Sequence, residues 1–227
     1  MKGVGNGLVA AAMVGAIGFL LVPGWILAAP REPVMGVVQK IFYFHVPCAW
    51  MLFLSVFVCA GGSLAYLFRA SERGDRVAVA AGELAVLFGV CVLITGPLWG
   101  RKAWGVWWQW DARLTSSLLL WLVMVAYLLA RRFGGPAARK LAAALALFAA
   151  LDVPLVYVSV NIWRTVHPQT TVVKTLDPGM RPAFWSAGVL ILVLWAILLA
   201  LRVRLEAARA ALGDLELAME DAAEARS

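Results

Sequence analysis

The chain has 227 residues, of which 63% are hydrophobic and 15% are charged, and its mean hydropathy is +0.85. Soluble domains are about one-quarter charged and disordered chains are less hydrophobic, so both classes are excluded. The net charge of +7 does not indicate nucleic acid binding, because the basic residues stand in short clusters between apolar runs. The three cysteines are odd in number and lie in apolar stretches, which excludes a disulfide scaffold and a zinc finger. The composition predicts a polytopic membrane protein embedded in lipid.

Six stretches are long and apolar enough to cross a bilayer, which takes about 20 residues per helix. The predicted spans are residues 8–29, 45–68, 77–99, 115–130, 141–160 and 184–203. The fourth is short, which indicates that its helix begins within the preceding motif. We therefore predict an all-α protein with one six-helix transmembrane domain, residues 1–204, and a cytoplasmic helical tail, residues 205–227. The sequence leaves open whether that tail docks on an ATPase subunit or is simply solvated.

Lysine and arginine predict the orientation, because they are enriched in cytoplasmic loops. With the N-terminus inside, 12 of them fall on the cytoplasmic side and 8 on the other. Both termini are therefore predicted to be cytoplasmic.

The tryptophans crowd the predicted outer face. An aromatic belt forms at both interfaces, so it does not explain a crowd on one side. Nine of the 11 tryptophans lie at or just beneath this face: Trp25, Trp50, Trp99, Trp104, Trp107, Trp108, Trp110, Trp163 and Trp185.

The Trp-rich segment, residues 99–115, is the densest part of this crowd. This segment is predicted to form a Trp-rich outer loop. Trp104, Trp107 and Trp108 follow helical spacing, so a helical conformation there would place three indoles on one face. One interpretation is an interfacial anchor helix, with Asp111 capping the fourth span. Five tryptophans within twelve residues exceed what an anchor needs. They favour a platform for a planar apolar ligand, whose anionic groups would pair with one of three nearby cations: Arg101, Lys102 or Arg113.

The only two histidines fall on the same side as this platform. His45 precedes Pro47, a residue suited to a first helical turn, and so lies at the mouth of the second span. His167 lies in the loop between the fifth and sixth spans. Imidazoles are common axial ligands of haem, which is planar, apolar on its faces and anionic at one edge. The residues thus predict a haem site, and no hydrolase motif or phosphate loop indicates an enzyme.

Over residues 38–186 the sequence resembles the haem-handling "WWD" proteins of bacterial cytochrome c maturation. Residues 104–115, WGVWWQWDARLT, are similar to their tryptophan signature. The flanking motifs are similar to residues 44–47, FHVP, and to His167 together with residues 177–180, DPGM. Size and six spans fit the CcmC family better than the larger relatives CcmF and CcsA.

The resemblance implies that haem b is held at the outer face of the inner membrane and passed to the periplasmic chaperone CcmE. It also implies that CcmA, CcmB and CcmD take part. His45 and His167 match the family's axial ligands. Pro168 departs from the glutamine that relatives more often carry after the second histidine, which leaves the geometry of that loop open. The other positions matched to the family's site are Trp104, Trp107, Trp108, Trp110, Asp111, Arg113 and Lys40.

Two alternatives remain at the level of sequence. A b-type electron-transfer cytochrome also uses two histidines, although it usually places them inside its spans. A transporter permease with tryptophans gating a pore would need no haem at all.

Overall fold

The computed structural model describes residues 2–135 and 137–224. In this part of the chain there are six α-helices and no β-strand, and all six helices are long and apolar enough to cross a membrane. The prediction of an all-α polytopic membrane protein is therefore confirmed. The helices are α1 (Lys2–Ala28), α2 (Phe42–Arg69), α3 (Glu72–Trp104), α4 (Ala112–Phe133), α5 (Ala138–Ile162) and α6 (Arg181–Glu224).

Capping residues set the starts of α3 and α4 more sharply than hydropathy does. Ser71 precedes α3, and its hydroxyl accepts a hydrogen bond from the backbone N–H of Gly74 at 3.1 Å. Asp111 caps α4 as expected, accepting from the N–H of Leu114 at 2.8 Å. The fourth span accordingly begins at residue 112, inside the Trp-rich segment. Helix α6, by contrast, does not end with the sixth span but continues unbroken through the predicted tail to residue 224.

Helix α2 occupies the middle of the bundle, where it packs on α3, α5 and α6. Small residues allow its close approach to α3: a Cβ built on Gly62 would lie 2.5 Å from the carbonyl oxygen of Gly74. Such contacts between small residues are typical of membrane helix pairs. Helix α4 packs on α5 and α3, and α1 packs against α6 at the edge of the bundle.

An ionic cluster ties three helices together at one end of the bundle. Arg131 of α4 donates two hydrogen bonds to the carboxylate of Asp75 in α3, at 3.0 and 2.7 Å. Arg139 of α5 bridges Asp75 and Glu72, at 2.8 and 2.7 Å. This is the end at which α2 joins α3 and α4 joins α5. The connections α1–α2, α3–α4 and α5–α6 therefore meet at the opposite end, together with both histidines and the Trp-rich segment.

Candidate functional site

A cavity of about 440 Å³ opens at the end of the bundle that carries the histidines. This volume lies within the usual range of small-molecule sites, roughly 300–1,000 Å³. Five helices, α2 to α6, and the α5–α6 loop contribute to its lining. His45 and His167 both line it, so the structure brings together two residues 122 positions apart in the sequence. Six of the lining residues are tryptophans: Trp50, Trp99, Trp104, Trp107, Trp108 and Trp185.

His45 lies in the first turn of α2, and its ring is held from α3. Its Nδ1 is 2.8 Å from the hydroxyl oxygen of Thr95, and that hydroxyl donates to the carbonyl of Cys91 at 2.6 Å. A threonine hydroxyl carries one hydrogen, so Oγ1 must be the acceptor from His45. The neutral ring therefore bears its proton on Nδ1, which leaves the lone pair on Nε2.

His167 reaches the same protonation state by a different contact. Its Nδ1 lies 2.8 Å from the backbone carbonyl of Pro168, which can only accept. The proton is thus on Nδ1 and the lone pair on Nε2. Burial and, secondarily, the nearby Arg113 guanidinium lower the pKa of His167 to about 4, so the ring is neutral at physiological pH. Pro168, the departure from the family's pattern, supplies this contact through its main chain.

Neither Nε2 atom has a hydrogen-bond partner among the described residues. Two neutral imidazoles with free Nε2 lone pairs on one cavity are a suitable pair of ligands for a transition metal. Carboxylates and thiolates do not assemble beside them, because no cluster of three or more metal-binding side chains exists within residues 2–135 and 137–224.

The Trp-rich segment is interrupted by a non-helical stretch and is not one continuous helix. Helix α3 ends at Trp104, and Gly105 follows it in the left-handed region with φ of 78°. Residues 105–111 are not helical, because a left-handed glycine terminates one helix and Asp111 caps the next. The segment nevertheless presents Trp104, Trp107 and Trp108 to the cavity. Trp110 is outside the lining, with 77% of its surface exposed.

Contacts between rings join this segment to the histidine loop. The Trp104 and His167 ring centroids are 6.5 Å apart with the planes tilted by 55°. Trp104 also meets Trp99 edge to face at 5.5 Å. Elsewhere in the lining, Trp50 of α2 and Trp185 of α6 lie 5.9 Å apart at an angle of 34°. Aromatic rings from α2, α3 and α6 therefore line the cavity.

Asp111 connects the Trp-rich segment to the loop of His167. Besides capping α4, its carboxylate accepts hydrogen bonds from the Thr165 hydroxyl and from the N–H of Val166, the latter at 3.1 Å. The Thr165 hydroxyl oxygen in turn accepts from the N–H of His167 at 3.1 Å. Asp111 does not itself line the cavity, and its contacts indicate that it positions the loop.

The predicted basic residues divide into two groups. Arg113 lines the cavity and donates one hydrogen bond to the carbonyl of Val156. Lys40 lies outside the lining, where its ammonium donates to the carbonyls of residues 26, 27 and 29 at the end of α1. Arg101 and Lys102 are exposed and also outside the lining.

Sequence reasoning missed several residues of the site. Lys174, Gln169 and Tyr157 line the cavity, and Thr95 holds His45 from behind. Lys174 was visible only as a basic residue in the loop of His167, and Thr95 gave no signal because it lies in an apolar run. Trp50 and Trp185 were counted on the outer face, but nothing in the sequence paired α2 with α6.

The fold and the cavity define a polytopic membrane protein with an aromatic site that carries two free imidazole nitrogens. The profile of the family described as "Heme exporter protein C" (CcmC) matches residues 4–222. The chain belongs to this family.

Curated relatives agree with the family match. A protein named "Heme exporter protein C" from Bradyrhizobium diazoefficiens is 35% identical over 158 residues, which are 69% of this chain and 60% of the relative. Its namesake from Escherichia coli K12 is 34% identical over 179 residues, 74% of this chain and 71% of the relative. A "Putative cytochrome c biosynthesis ccmC-like mitochondrial protein" from Marchantia polymorpha is 32% identical over 147 residues, 65% of this chain and 63% of the relative.

Proposed function

We propose that this protein binds haem in the Trp-lined cavity, with His45 and His167 as axial ligands, and hands it on for cytochrome c maturation. The observation that carries the proposal is the presence of two free Nε2 lone pairs on one cavity. Haem is the cargo here, and the protein acts as a carrier rather than an enzyme. The names of the relatives, which refer to haem export and cytochrome c biosynthesis, support this role.

The chemistry of the lining fits a porphyrin. Indoles offer flat apolar surface, whose burial is worth roughly 25 cal/mol per Å². The buried Nε1–H of Trp108 has no hydrogen-bond partner among the described residues, and a carboxylate of the cargo would satisfy it. Arg113 and Lys174 supply positive charge for the same anionic edge. Lys40 is not included in this binding set, because its ammonium is already bonded to three carbonyls.

The proposal places the cavity at the periplasmic face of the bacterial inner membrane. Both termini are then cytoplasmic, in agreement with the asymmetry of lysine and arginine. The proposed recipient is the periplasmic haem chaperone CcmE, and the proposed co-workers are CcmA, CcmB and CcmD. The resemblance of the WWD and histidine motifs supports these partners.

Release of the cargo follows from the different supports of the two ligands. His45 belongs to a helix and is bonded to a second helix, whereas His167 lies in a loop and is bonded to its neighbour's carbonyl. The loop ligand is the one that a chaperone's own ligand displaces, since moving it disturbs no helix packing.

Replacement of either histidine by alanine tests the axial assignment. We expect His45→Ala and His167→Ala each to insert in the membrane, to lose most of the copurified haem and to lose the six-coordinate low-spin spectrum. Added imidazole should restore that spectrum, because it refills the vacated coordination position. Absorption spectra of protein purified from haem-replete cells measure both effects.

Wild-type spectra in both variants would contradict the axial assignment. Wild-type protein purified without any haem would favour the permease alternative. Haem that is rapidly reduced by quinol, without any chaperone, would favour the electron-transfer alternative.

A further inference from the structure

Thr95 lies behind His45 and away from the cargo. It belongs to α3, its hydroxyl oxygen is 2.8 Å from His45 Nδ1, and it is not among the residues that line the cavity. Its contact with haem is therefore through the imidazole alone. His45 is also confined on this side, since a Cβ on neighbouring Gly96 would lie 3.3 Å from the ring's Cε1.

The direction of the hydrogen-bond chain is fixed by chemistry. The Thr95 hydroxyl donates its single hydrogen to the Cys91 carbonyl at 2.6 Å, one helical turn earlier. Its oxygen is left with lone pairs only, so it accepts from His45 Nδ1–H. The hydrogen bonds therefore run from the imidazole to the hydroxyl and from the hydroxyl to the main-chain carbonyl. This direction cannot reverse, because the carbonyl has no hydrogen to donate.

We propose that Thr95 is a positioning residue that locks His45 in the protonation state and orientation required for axial ligation. The inference rests on the proposed function, in which His45 binds the iron. Hydrogen bonds of this kind to the far nitrogen of a ligating histidine raise its basicity and fix its ring. Without the acceptor, a partly buried N–H is left unpaired, and the ring relieves this by moving its proton to Nε2 or by rotating. Either change removes the lone pair from the cavity.

His167 provides the internal contrast. Its Nδ1–H is accepted by the Pro168 main chain, which a side-chain substitution leaves in place. Of the two ring contacts, the one between His45 and Thr95 is therefore the one that a side-chain substitution can remove without changing a histidine.

The test compares Thr95→Val, Thr95→Ser and a control, Ser116→Ala, in the full-length protein in detergent. Valine keeps the shape of threonine without the acceptor, and serine keeps the acceptor. Ser116 is a buried hydroxyl bonded to the carbonyl four residues before it, as Thr95 is, but it touches no histidine. Haem titration gives the affinity, electron paramagnetic resonance of the ferric protein gives the ligand state, and potentiometry gives the reduction potential.

We expect Thr95→Val to bind haem about 10- to 100-fold more weakly. Its low-spin signal should diminish, and its reduction potential should shift in the positive direction because a less basic imidazole stabilises ferric iron less. Thr95→Ser and Ser116→Ala should match the wild type in all three measurements. A purely structural role of Thr95 would not move the potential or the spin state in this pattern.

The experiment distinguishes failure of the proposed function from failure of the inference about Thr95. If His45→Ala keeps the wild-type spectrum, the proposed function fails whatever Thr95 does. If His45→Ala loses it while Thr95→Val matches the wild type, or while Thr95→Ser is as impaired as Thr95→Val, the inference about Thr95 is wrong and the proposed function stands. Should Thr95→Val not accumulate, Thr95→Ala is measured by the same criteria. If neither variant accumulates, Thr95 is a folding residue and the inference is overturned.

Discussion

At the scale of single residues, Asp111 links the tryptophan motif to the loop of the second histidine. One carboxylate oxygen caps α4 through Leu114, and the other receives the Thr165 hydroxyl and the N–H of Val166. Substituting Asp111 itself would remove both the cap of α4 and the contacts with the loop of His167. Thr165 offers a cleaner change. Its hydroxyl donates to Asp111 and accepts from the N–H of His167, but it takes no part in capping α4.

We predict that Thr165→Val releases haem faster than the wild type while α4 stays capped. The variant loses a hydrogen bond to a carboxylate, worth about 1.5–3 kcal/mol, and the support of the His167 backbone. If roughly 1.4 kcal/mol of this loss lowers the free-energy barrier to haem release, haem dissociates on the order of tenfold faster. Transfer of haem to an excess of a soluble haem-scavenging protein measures the rate.

Thr115→Val is the matched control, because this threonine is exposed in the first turn of α4. It should leave the rate unchanged. The prediction fails if Thr165→Val releases haem at the wild-type rate while the separate variant His167→Ala releases it faster. That result would show that Asp111 does not hold the loop of His167.

The sequence predicted the two histidines as a pair because they are the only ones and topology puts them on one side. It did not predict what holds them. The partner of His45 is Thr95, 50 residues away on a neighbouring helix, and the partner of His167 is a backbone carbonyl. Neither contact has a pattern in the chain, since each depends on how helices and loops pack.

At the scale of elements, the Trp-rich segment consists of the end of α3, a non-helical connection at residues 105–111 and the start of α4. Trp107 and Trp108 lie in the non-helical residues 105–111 and still line the cavity. The helical spacing of the tryptophans does not produce a continuous helix, because Gly105 ends α3 and Asp111 caps the start of α4. The existence of the flanking spans was predictable, since it depends only on apolar length.

We predict that replacing both Trp107 and Trp108 by alanine weakens haem retention on the order of tenfold, while both axial ligands remain. Contacts of aromatic rings contribute about 0.5–1.5 kcal/mol each beyond buried area, and the unpaired Nε1–H of Trp108 is lost as well. Haem titration of the purified double variant measures the affinity, and its spectrum should stay low-spin.

Trp163→Ala is the control for this prediction, because Trp163 is 49% exposed and does not line the cavity. It should retain haem as the wild type does. Equal haem occupancy in the double variant and the control would contradict a platform role for the segment.

At the scale of the whole molecule, the bundle assembles the site from parts that are far apart in sequence. Hydropathy predicted six spans, and alternation of the spans predicted that the three connections share one end. The cavity wall formed by Trp50 and Trp185 was beyond sequence reasoning, because it requires knowing that α2 packs on α6. The orientation of this end relative to the membrane remains a prediction from charge.

Labelling of single introduced cysteines tests the orientation. We predict that Gln109→Cys reacts with a membrane-impermeant maleimide in intact spheroplasts, and that Asp214→Cys reacts only after permeabilisation. Both positions are exposed, and the native thiols are buried or half-buried within the helices, so they contribute little background. Labelling of the two sites in the reverse order would put the cavity on the cytoplasmic side.

The unbroken course of α6 has a structural consequence. This helix runs for 44 residues, about 66 Å at 1.5 Å per residue, and no proline interrupts it after its first turn. Near one tip it contributes Trp185 to the cavity, and its other tip extends well past the roughly 30 Å of hydrocarbon. Residues 205–224 and the indole of Trp185 in the cavity wall therefore belong to one continuous helix, with no loop between them.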